Sequence, residues 1–335
     1  MGVEDIQNFS LAELENMPQA KIDELNNVRH GEVTYDDLVQ FTVMREKIFQ
    51  AGKHFSIMDP FVAHRPADRL EWQIFASDDE IQVNYPVAPD TLALGDRIDP
   101  IDYNKIDVRL KMAETRMFFA DDTKLRDASI NWTRQDMAQK AAETLAMKRD
   151  ERIISKLKTA APAGNTVTAN DVWSAAGSTP EDDVAEAVGN IAKNSNMRPD
   201  QINAERAFAL VLPVDALAGM NKFKLIRNVQ TTISEVLNQT YKVVLAYTKP
   251  PTSLSGGSNA WPLETQAMLF PISDPQLGFF STWNGGGVVP AQLRQRLLRG
   301  EEIVTRQWME YTVIPYPLDG STTTNEKIAL INGVA

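Results

Sequence analysis

Three histidines occur in the sequence, and two of them stand near an aspartate in a way that could bind a metal ion. His54 and His64 flank Asp59, and imidazole and carboxylate groups are common zinc ligands. Their spacing matches no recognised ligand pattern, and Pro60 interrupts the segment. We therefore favour exposed or capping histidines over a metal site. The third histidine is His30.

Adjacent acids form a second group that could carry chemistry, because paired carboxylates serve in general acid–base catalysis. The pairs are Asp78–Asp79, Asp121–Asp122 and Asp182–Asp183. Such catalysis requires carboxylates that face each other in surroundings that shift their pKa values, and adjacency in sequence does not supply this. One pair lies in a predicted turn and two lie where helices are predicted to begin. A structural role is therefore favoured for all three.

Other catalytic motifs are missing from the sequence. It contains 0 Cys, which excludes thiol nucleophiles, disulfides and thiolate metal sites. The glycine runs at 256–257 and 285–287 lack the pattern of phosphate-binding loops. No serine lies in a Gly-x-Ser-x-Gly motif. We therefore expect a protein that is not an enzyme and that carries no cofactor and no metal.

A dense block of charge near the end of the chain leaves two interpretations open. Arg294, Arg296 and Arg299 precede Glu301 and Glu302. The block can be a solvated surface, or it can form salt bridges between subunits.

Composition bounds the class of protein. The 335 residues suggest about two domains, and a hydrophobic content of 43% favours a packed fold. The net charge is −11 and no basic run is visible, which argues against sequence-specific DNA binding but allows enclosure of nucleic acid without gripping it. No apolar run is long enough to span a membrane. Residues 1–37 carry nine acids against two cationic residues, which predicts a solvated acidic arm.

Alternation of apolar and polar residues predicts a hairpin in the first third of the chain. The strands would be RLEWQIF (69–75) and IQVNYPV (81–87), joined by a turn at 77–80. A further strand or two is predicted within 101–119. An isolated two-stranded hairpin is marginal in water, so we expect another part of the assembly, such as a second copy, to cover it.

The segment Asp122–Lys158 contains neither Gly nor Pro and predicts an unusually long helix. Asp121 and Asp122 would cap it, and a break between Asp127 and Asn131 remains open. Alanines at its centre would allow another backbone to approach closely. Its predicted apolar face consists of Met137, Ala138, Ala141, Ala142, Leu145, Ala146, Ile153, Ile154 and Leu157.

The second half of the chain alternates helices and strands. A helix is predicted from a Thr179 cap with Pro180 at its first position. There follow a buried strand in AERAFALVLP, helices in VDALAGM and TTISEVLNQT, a central strand in YKVVLAY and a strand in QAMLFPI. Two strands, EIVTRQWMEYTVIPY and KIALINGV, end the chain around a turn at Asp319–Gly320.

This order of elements resembles the major capsid proteins of tailed phages and related viruses, which have the Hong Kong 97-type fold, and in particular the lambda-type coat protein group. The segments that carry the resemblance are MKRDERIISKL, LVLPVDALAGM and RQWMEYTVIPYPLDGSTTTNEKIALINGV. It implies an α+β fold with an N-terminal arm, an E-loop hairpin, a peripheral domain with a spine helix, an apical domain and returning peripheral-domain strands. These parts would span 1–64, 65–100, 101–164, 165–284 and 285–335.

The resemblance also implies a function. Copies of the chain would form hexamers and pentamers of an icosahedral virion shell, assembled in the host cytoplasm around double-stranded DNA that makes no sequence-specific contact. A portal protein and a scaffold are expected partners, and a cement protein is possible. Because the sequence begins at Met1, the scaffold is expected to be a separate protein. Contacts between subunits are expected at Arg69, Trp72, Asp78, Asp79, Arg294, Arg296 and Arg299.

One feature of the family is not expected here. Some members join subunits by a Lys–Asn isopeptide bond whose lysine lies in the E-loop, but residues 65–104 contain no lysine. The shell would therefore be held by non-covalent contacts or by a cement protein. Two alternatives remain open: an encapsulin-like cellular compartment that encloses enzymes, and a soluble α/β enzyme with an unrecognised site.

Overall fold

The structure is a computed structural model. The residues that it describes are 56–76, 104–119, 130–195, 207–226, 229–248, 263–283, 289–295, 300–317 and 323–335. The strands of these ranges are β1 (Ala63–His64), β2 (Glu71–Ala76), β3 (Asn104–Arg109), β4 (Lys111–Phe119), β5 (Thr166–Thr168), β6 (Phe208–Pro213), β7 (Phe223–Ile226), β8 (Val229–Thr232), β9 (Val243–Thr248), β10 (Gln266–Pro271), β11 (Gly278–Thr282), β12 (Val289–Gln295), β13 (Gly300–Val313) and β14 (Ala329–Asn332). The α-helices are α1 (Ile130–Ala160), α2 (Pro180–Asn194), α3 (Leu217–Met220) and α4 (Ile233–Tyr241). Short 3-10 helices occupy Asp59–Phe61, Ala163–Asn165 and Val214–Ala216.

Two five-stranded sheets form the framework. The first has the order β1-β11-β13-β12, with β4 also paired to the long strand β13. The second has the order β5-β14-β10-β6-β9. Within it β10 runs antiparallel to both neighbours, whereas the β6–β9 and β14–β5 pairs are parallel.

The prediction of a buried strand in AERAFALVLP is confirmed, because all six residues of β6 are buried. The prediction of a central strand in YKVVLAY is wrong. This strand, β9, lies at the edge of the second sheet, and its Val244 is 37% exposed. A run of apolar residues indicates burial on two faces, but it does not tell a central strand from an edge strand that packs against neighbouring elements.

The strand predicted in RLEWQIF is confirmed as β2, with Trp72 and Ile74 facing inward and Phe75 outward. Its antiparallel partner is β3, in a register that pairs Ile74 with Ile106. The sequence assigned that partner to residues 81–87, which lie outside the described residues. The β2–β3 pairing thus brings together Ala76 and Asn104, which flank the segment 77–103 in the sequence.

The long helix predicted from the sequence is confirmed over α1, which is unbroken for 31 residues and corresponds to about 46 Å. It ends at Ala160, because Pro162 disfavours helical backbone at the residue before it. Its predicted caps, Asp121 and Asp122, lie outside the described residues. No described helix is both long and apolar enough to cross a membrane.

The inner face of α1 is buried from Ala142 to Ala160, and the helix contacts β4 and β13. Its buried apolar residues are Ala142, Leu145, Ala146, Ile153, Ile154, Leu157 and Ala160. The last four pack in a core that also holds Phe280 and Tyr311 of the first sheet, and Phe270 of the second. Burying each such Ile or Leu side chain contributes about 1.5–3 kcal/mol. The helix therefore joins the two sheets.

A second core lies between α2 and the second sheet. Helix α2 begins with Pro180 and has three acids in its first turn, as predicted. Thr179 occupies the N-cap position as predicted, but its side chain makes no capping hydrogen bond. Instead the neighbouring Asp183 is buried and accepts a hydrogen bond from Trp173 Nε1 at 2.8 Å.

The final two strands enter different sheets. Strand β13 runs through the first sheet, whereas β14 lies between β5 and β10 in the second. That both strands return to one peripheral domain stays a prediction. Between them, Asn325 donates its backbone N–H to the carbonyl of Ala160 at 2.7 Å, at the end of α1. The turn predicted at Asp319–Gly320 lies outside the described residues, and the domain boundaries at 64, 100, 164 and 284 stay predictions.

Candidate assembly interface and arm junction

The predicted contact residues fall in two places. Arg69 is exposed just before β2, and Trp72 is half-buried against Ile74 and Phe279. Trp72 therefore packs within the subunit. Arg294 lies in β12, and its direct partner in the antiparallel register with β13 is Glu301. Asp78, Asp79, Arg296 and Arg299 lie outside the described residues.

The outer face of the β2–β3 ribbon carries charged side chains, the neutral Gln73 and one large aromatic side chain. Glu71 and Arg109 are 2.8 Å apart, and Lys105 lies 3.9 Å from Asp107. Phe75 stands at the far end of this face and is 65% exposed. Phe75 was not predicted from the sequence as a contact residue, although the alternation of side chains along the strand places it on the face opposite to Ile74.

A second exposed aromatic side chain lies on a different sheet. Phe223 begins β7, which pairs with β8 as a separate two-stranded sheet, and it is 71% exposed. Met112 of β4 is 47% exposed. Exposed apolar side chains that stand singly are ordinary on a protein surface, so Phe223 and Met112 do not by themselves mark an interface.

The chain enters the described fold through buried hydrogen bonds to helix α1. The Asp150 carboxylate accepts hydrogen bonds from Ser56 Oγ at 2.6 Å, Ile57 N at 2.9 Å and Met58 N at 3.1 Å. Asp150 is 2% exposed. Burial raises the pKa of this carboxyl above the ordinary aspartate value, and the three hydrogen bonds act in the opposite direction.

The neighbouring residue of α1 completes this junction. Arg149 Nη1 donates to Asp59 Oδ1 at 2.8 Å, and its guanidinium lies 4.7 Å from the centre of the Phe280 ring. Burial lowers the pKa of Arg149, while the Asp59 carboxylate opposes this shift. His64 Nε2 lies 3.0 Å from the carbonyl oxygen of Asp59. We call Ser56, Asp59, His64, Arg149 and Asp150 the arm junction.

The contacts of the arm junction disfavour a metal ion between Asp59 and His64. The two side chains do approach to 3.6 Å, but the same carboxylate oxygen already binds the Arg149 guanidinium. A fixed positive charge at that oxygen disfavours a metal ion. His54 lies outside the described residues, and no metal-binding group of three or more His, Cys, Asp or Glu occurs in the described part.

Two further ion pairs join elements distant in sequence. Arg152 of α1 forms a bidentate pair with Glu310 of β13, with Nη2 to Oε2 at 2.6 Å and Nε to Oε1 at 3.0 Å. Lys327 Nζ lies 2.9 Å from Asp274 Oδ2, and both residues are buried. The roles of Arg149, Asp150 and Arg152 were not predicted from the sequence, although all three lie in the segment MKRDERIISKL that carries the resemblance.

Comparison with solved structures finds the same architecture in other proteins. A virus-like particle from Pyrococcus furiosus aligns over 88% of this chain and 99% of its own, with 10% identity and a TM-score of 0.55. A phage-related protein from Bordetella bronchiseptica RB50 aligns over 87% and 96%, with 15% identity and a TM-score of 0.58. The capsid of a native GTA particle aligns over 84% and 91%, with 12% identity and a TM-score of 0.54.

A comparison of the sequence with protein-family models and with curated proteins finds no match. The structural alignments nevertheless cover most of this chain and nearly all of each relative. The chain therefore has the Hong Kong 97-type capsid fold, and the α+β class predicted from the sequence is confirmed.

Proposed function

We propose that this chain is a major capsid protein whose copies assemble non-covalently into an icosahedral shell that encloses double-stranded DNA. The observation that carries the proposal is the extent of the structural likeness, which reaches 99% of the virus-like particle subunit and 91% of the GTA capsid subunit. A structural likeness of this extent concerns the whole fold of a shell subunit rather than one shared motif.

The surface of the subunit supports the same proposal. The β2–β3 ribbon is a two-stranded sheet with Phe75 exposed, and ordering such a ribbon gains little in water unless a neighbour buries it. Repetition in a closed shell buries the same surface on every subunit. We propose Arg69, Asp78 and Asp79 as contacts near this ribbon, with Trp72 holding its base.

The β12–β13 hairpin is the second proposed contact region. Arg294 lies in β12, and Arg296 and Arg299 follow it in the sequence. These three residues would form salt bridges with a neighbouring subunit. Because residues 65–104 contain no lysine, these contacts would be non-covalent. A net charge of −11 also suits a wall that repels packaged DNA rather than binding it.

The partners and the location follow from this function. We propose that the chain resides in the virion after assembly in the host cytoplasm. A portal protein and a separate scaffold would act with it, and a cement protein would be needed if the subunit contacts alone did not hold the shell.

Electron microscopy and light scattering of the purified full-length protein test the proposal. Closed particles of megadalton mass with nuclease-protected DNA are expected when the protein is isolated from its virus-producing host. A monomer or small oligomer under all conditions would contradict shell formation and favour a soluble enzyme. Closed particles that contain a co-purifying enzyme instead of DNA would favour an encapsulin-like compartment.

The non-covalent nature of the contacts has its own measurement. Boiled particles should run as a single monomer band on a denaturing gel. A ladder of covalent oligomers would contradict this part of the proposal while leaving shell formation intact.

A further inference from the structure

The exposed side of α1 is positively charged in a chain that is acidic overall. Residues 140–160 include six cationic residues and three acids, whereas the whole chain has a net charge of −11. Arg149 and Asp150 are buried in the arm junction and offset each other. The cationic excess therefore lies on the solvent side of the helix.

Part of this side forms an open crevice of about 240 Å³, lined by Lys148, Glu151, Arg152, Ser155 and Lys156. We call these five residues the cationic crevice. Lys148 pairs with Glu151 at 2.7 Å, and Lys156 Nζ lies 3.9 Å from Glu310, which also binds Arg152.

The charges of the cationic crevice are only partly balanced. Among the side chains that the structure describes, its three cations face two carboxylates, those of Glu151 and Glu310, so one positive charge remains. The side chains of Lys148 and Lys156 are 43% and 46% exposed. Exposed ion pairs are weak in water, so an incoming carboxylate can exchange with the existing partners.

The arm junction fixes where the N-terminal part of the chain meets α1. Ser56 Oγ lies 2.6 Å from the Asp150 carboxylate, on the buried side of the helix. Lys148 and Arg152 are two positions from Asp150 and therefore point to the opposite side. The chain that precedes Ser56 thus starts one helix diameter, roughly 10 Å, from the cationic crevice.

The composition of that preceding chain complements the crevice. Residues 1–37 contain nine acids against Lys21 and Arg29. The link at 38–55 extends up to about 60 Å, whereas the crevice from Lys148 to Lys156 covers about 12 Å of helix. The acidic residues are thus within reach of the crevice in the same subunit.

We propose that the acidic segment, residues 1–37, docks on the cationic crevice of its own subunit. Its carboxylates bind Lys148 and Lys156 and neutralise the local positive charge. Duplex DNA is the competing polyanion, and the docked segment would exclude it from α1. The attachment weakens with salt, because its charges remain close to solvent. The proposal does not depend on shell formation.

Carbodiimide cross-linking of the full-length protein tests the docking directly, because this reagent joins lysine amines to carboxylates in contact. Lys148 and Lys156 should be linked to acids of residues 1–37, and the linked chain should run at monomer mass. Exposed Lys111 and Lys193 serve as matched controls. Links at the crevice no more frequent than at the controls, or links that appear only at dimer mass, would overturn the proposal.

Charge reversal gives an independent readout through protease cleavage within residues 1–37. Lys148→Glu with Lys156→Glu should speed cleavage by thermolysin roughly tenfold, since two salt bridges become repulsions. Glu13→Lys with Glu15→Lys should do the same. Combining all four substitutions should restore slow cleavage, which a merely structural role of the lysines would not produce. Failure of the combination to restore protection would overturn the docking.

Two further measurements complete the test. Lys111→Glu with Lys193→Glu should leave the cleavage rate unchanged, which controls for the altered net charge. A duplex DNA fragment should not protect Lys148 and Lys156 from acetylation in the wild-type protein. Equal protection by DNA in the wild type and in the Glu13→Lys, Glu15→Lys variant would identify the crevice as a DNA site and refute the proposal.

Discussion

Arg152 and Glu310 form a bidentate ion pair that joins the long helix to the long strand of the first sheet. The two residues are 158 positions apart in sequence, and their closest atoms are 2.6 Å apart. The Glu310 side chain is 7% exposed and that of Arg152 is 36% exposed. The buried carboxylate therefore depends on a cation that reaches it from the solvent side of α1.

The first prediction concerns this pair. Arg152→Met should lower the free energy of unfolding by about 2 kcal/mol, because Glu310 would be left buried with only the more distant Lys156 near it. Replacing both partners, as Arg152→Met with Glu310→Met, should recover most of the loss. Urea unfolding of the four proteins of this double-mutant cycle measures the coupling. Additive effects of the two single substitutions would contradict it.

The second prediction concerns Asp150 and pH. Its pKa is raised in the fold by burial, so the folded protein binds this proton more tightly than the unfolded chain does. The stability that it contributes is fully present below the ordinary aspartate pKa and is lost as pH rises through the raised value. Asp150→Asn keeps one oxygen acceptor and should remove this part of the pH dependence.

Unfolding experiments from acid to neutral pH measure that dependence. Asp215→Asn, at an exposed position, is the matched control and should leave the pH profile unchanged. A profile of Asp150→Asn that coincides with the wild type would show that Asp150 does not titrate in this range.

The third prediction rests on Gly219, where the backbone of α3 meets Trp173. A Cβ atom at this position would lie 2.4 Å from the carbonyl oxygen of Trp173. Gly219→Ala should therefore destabilise the protein by about 2 kcal/mol or more, because backbone rather than a flexible side chain must move.

Gly189 provides the opposite case within α2. Its added Cβ would meet no atom within 4 Å. Gly189→Ala should stabilise the protein by about 0.5–1 kcal/mol through helix propensity. Thermal unfolding of both variants compares them, and a similar loss in the two would contradict the role of the Trp173 contact.

The fourth prediction concerns Tyr311 in the core beside α1. The residue is 1% exposed, and its hydroxyl has no hydrogen-bond partner among the described residues. Burial raises the pKa of this hydroxyl, so it stays protonated. Tyr311→Phe removes an unsatisfied polar group and should be neutral or stabilising by about 1 kcal/mol.

Trp173→Phe is the contrasting variant for the same measurement. It removes the indole N–H that Asp183 accepts at 2.8 Å, so it should destabilise the protein. A marked loss in Tyr311→Phe would indicate that the hydroxyl has a partner in the folded protein.

The elements that could be predicted from the sequence are those that depend on neighbouring residues. Helix α1 follows from a segment without Gly or Pro, and β6 follows from an uninterrupted apolar run. The order of such elements was enough to indicate the α+β capsid fold. The absence of lysine in residues 65–104, on which the prediction of non-covalent contacts rests, is likewise evident from the sequence alone.

The pairing of these elements depended on residues far apart in the chain. The partner of β2, the edge position of β9 and the sheet that receives β14 each follow from packing across the whole fold. The arm junction is the clearest case, because Met58 and Asp150 are 92 positions apart and neither local segment signals the other. Local periodicity reports which face of an element is buried. Which surface covers that face depends on how all the elements pack together, and that is visible only in the folded chain.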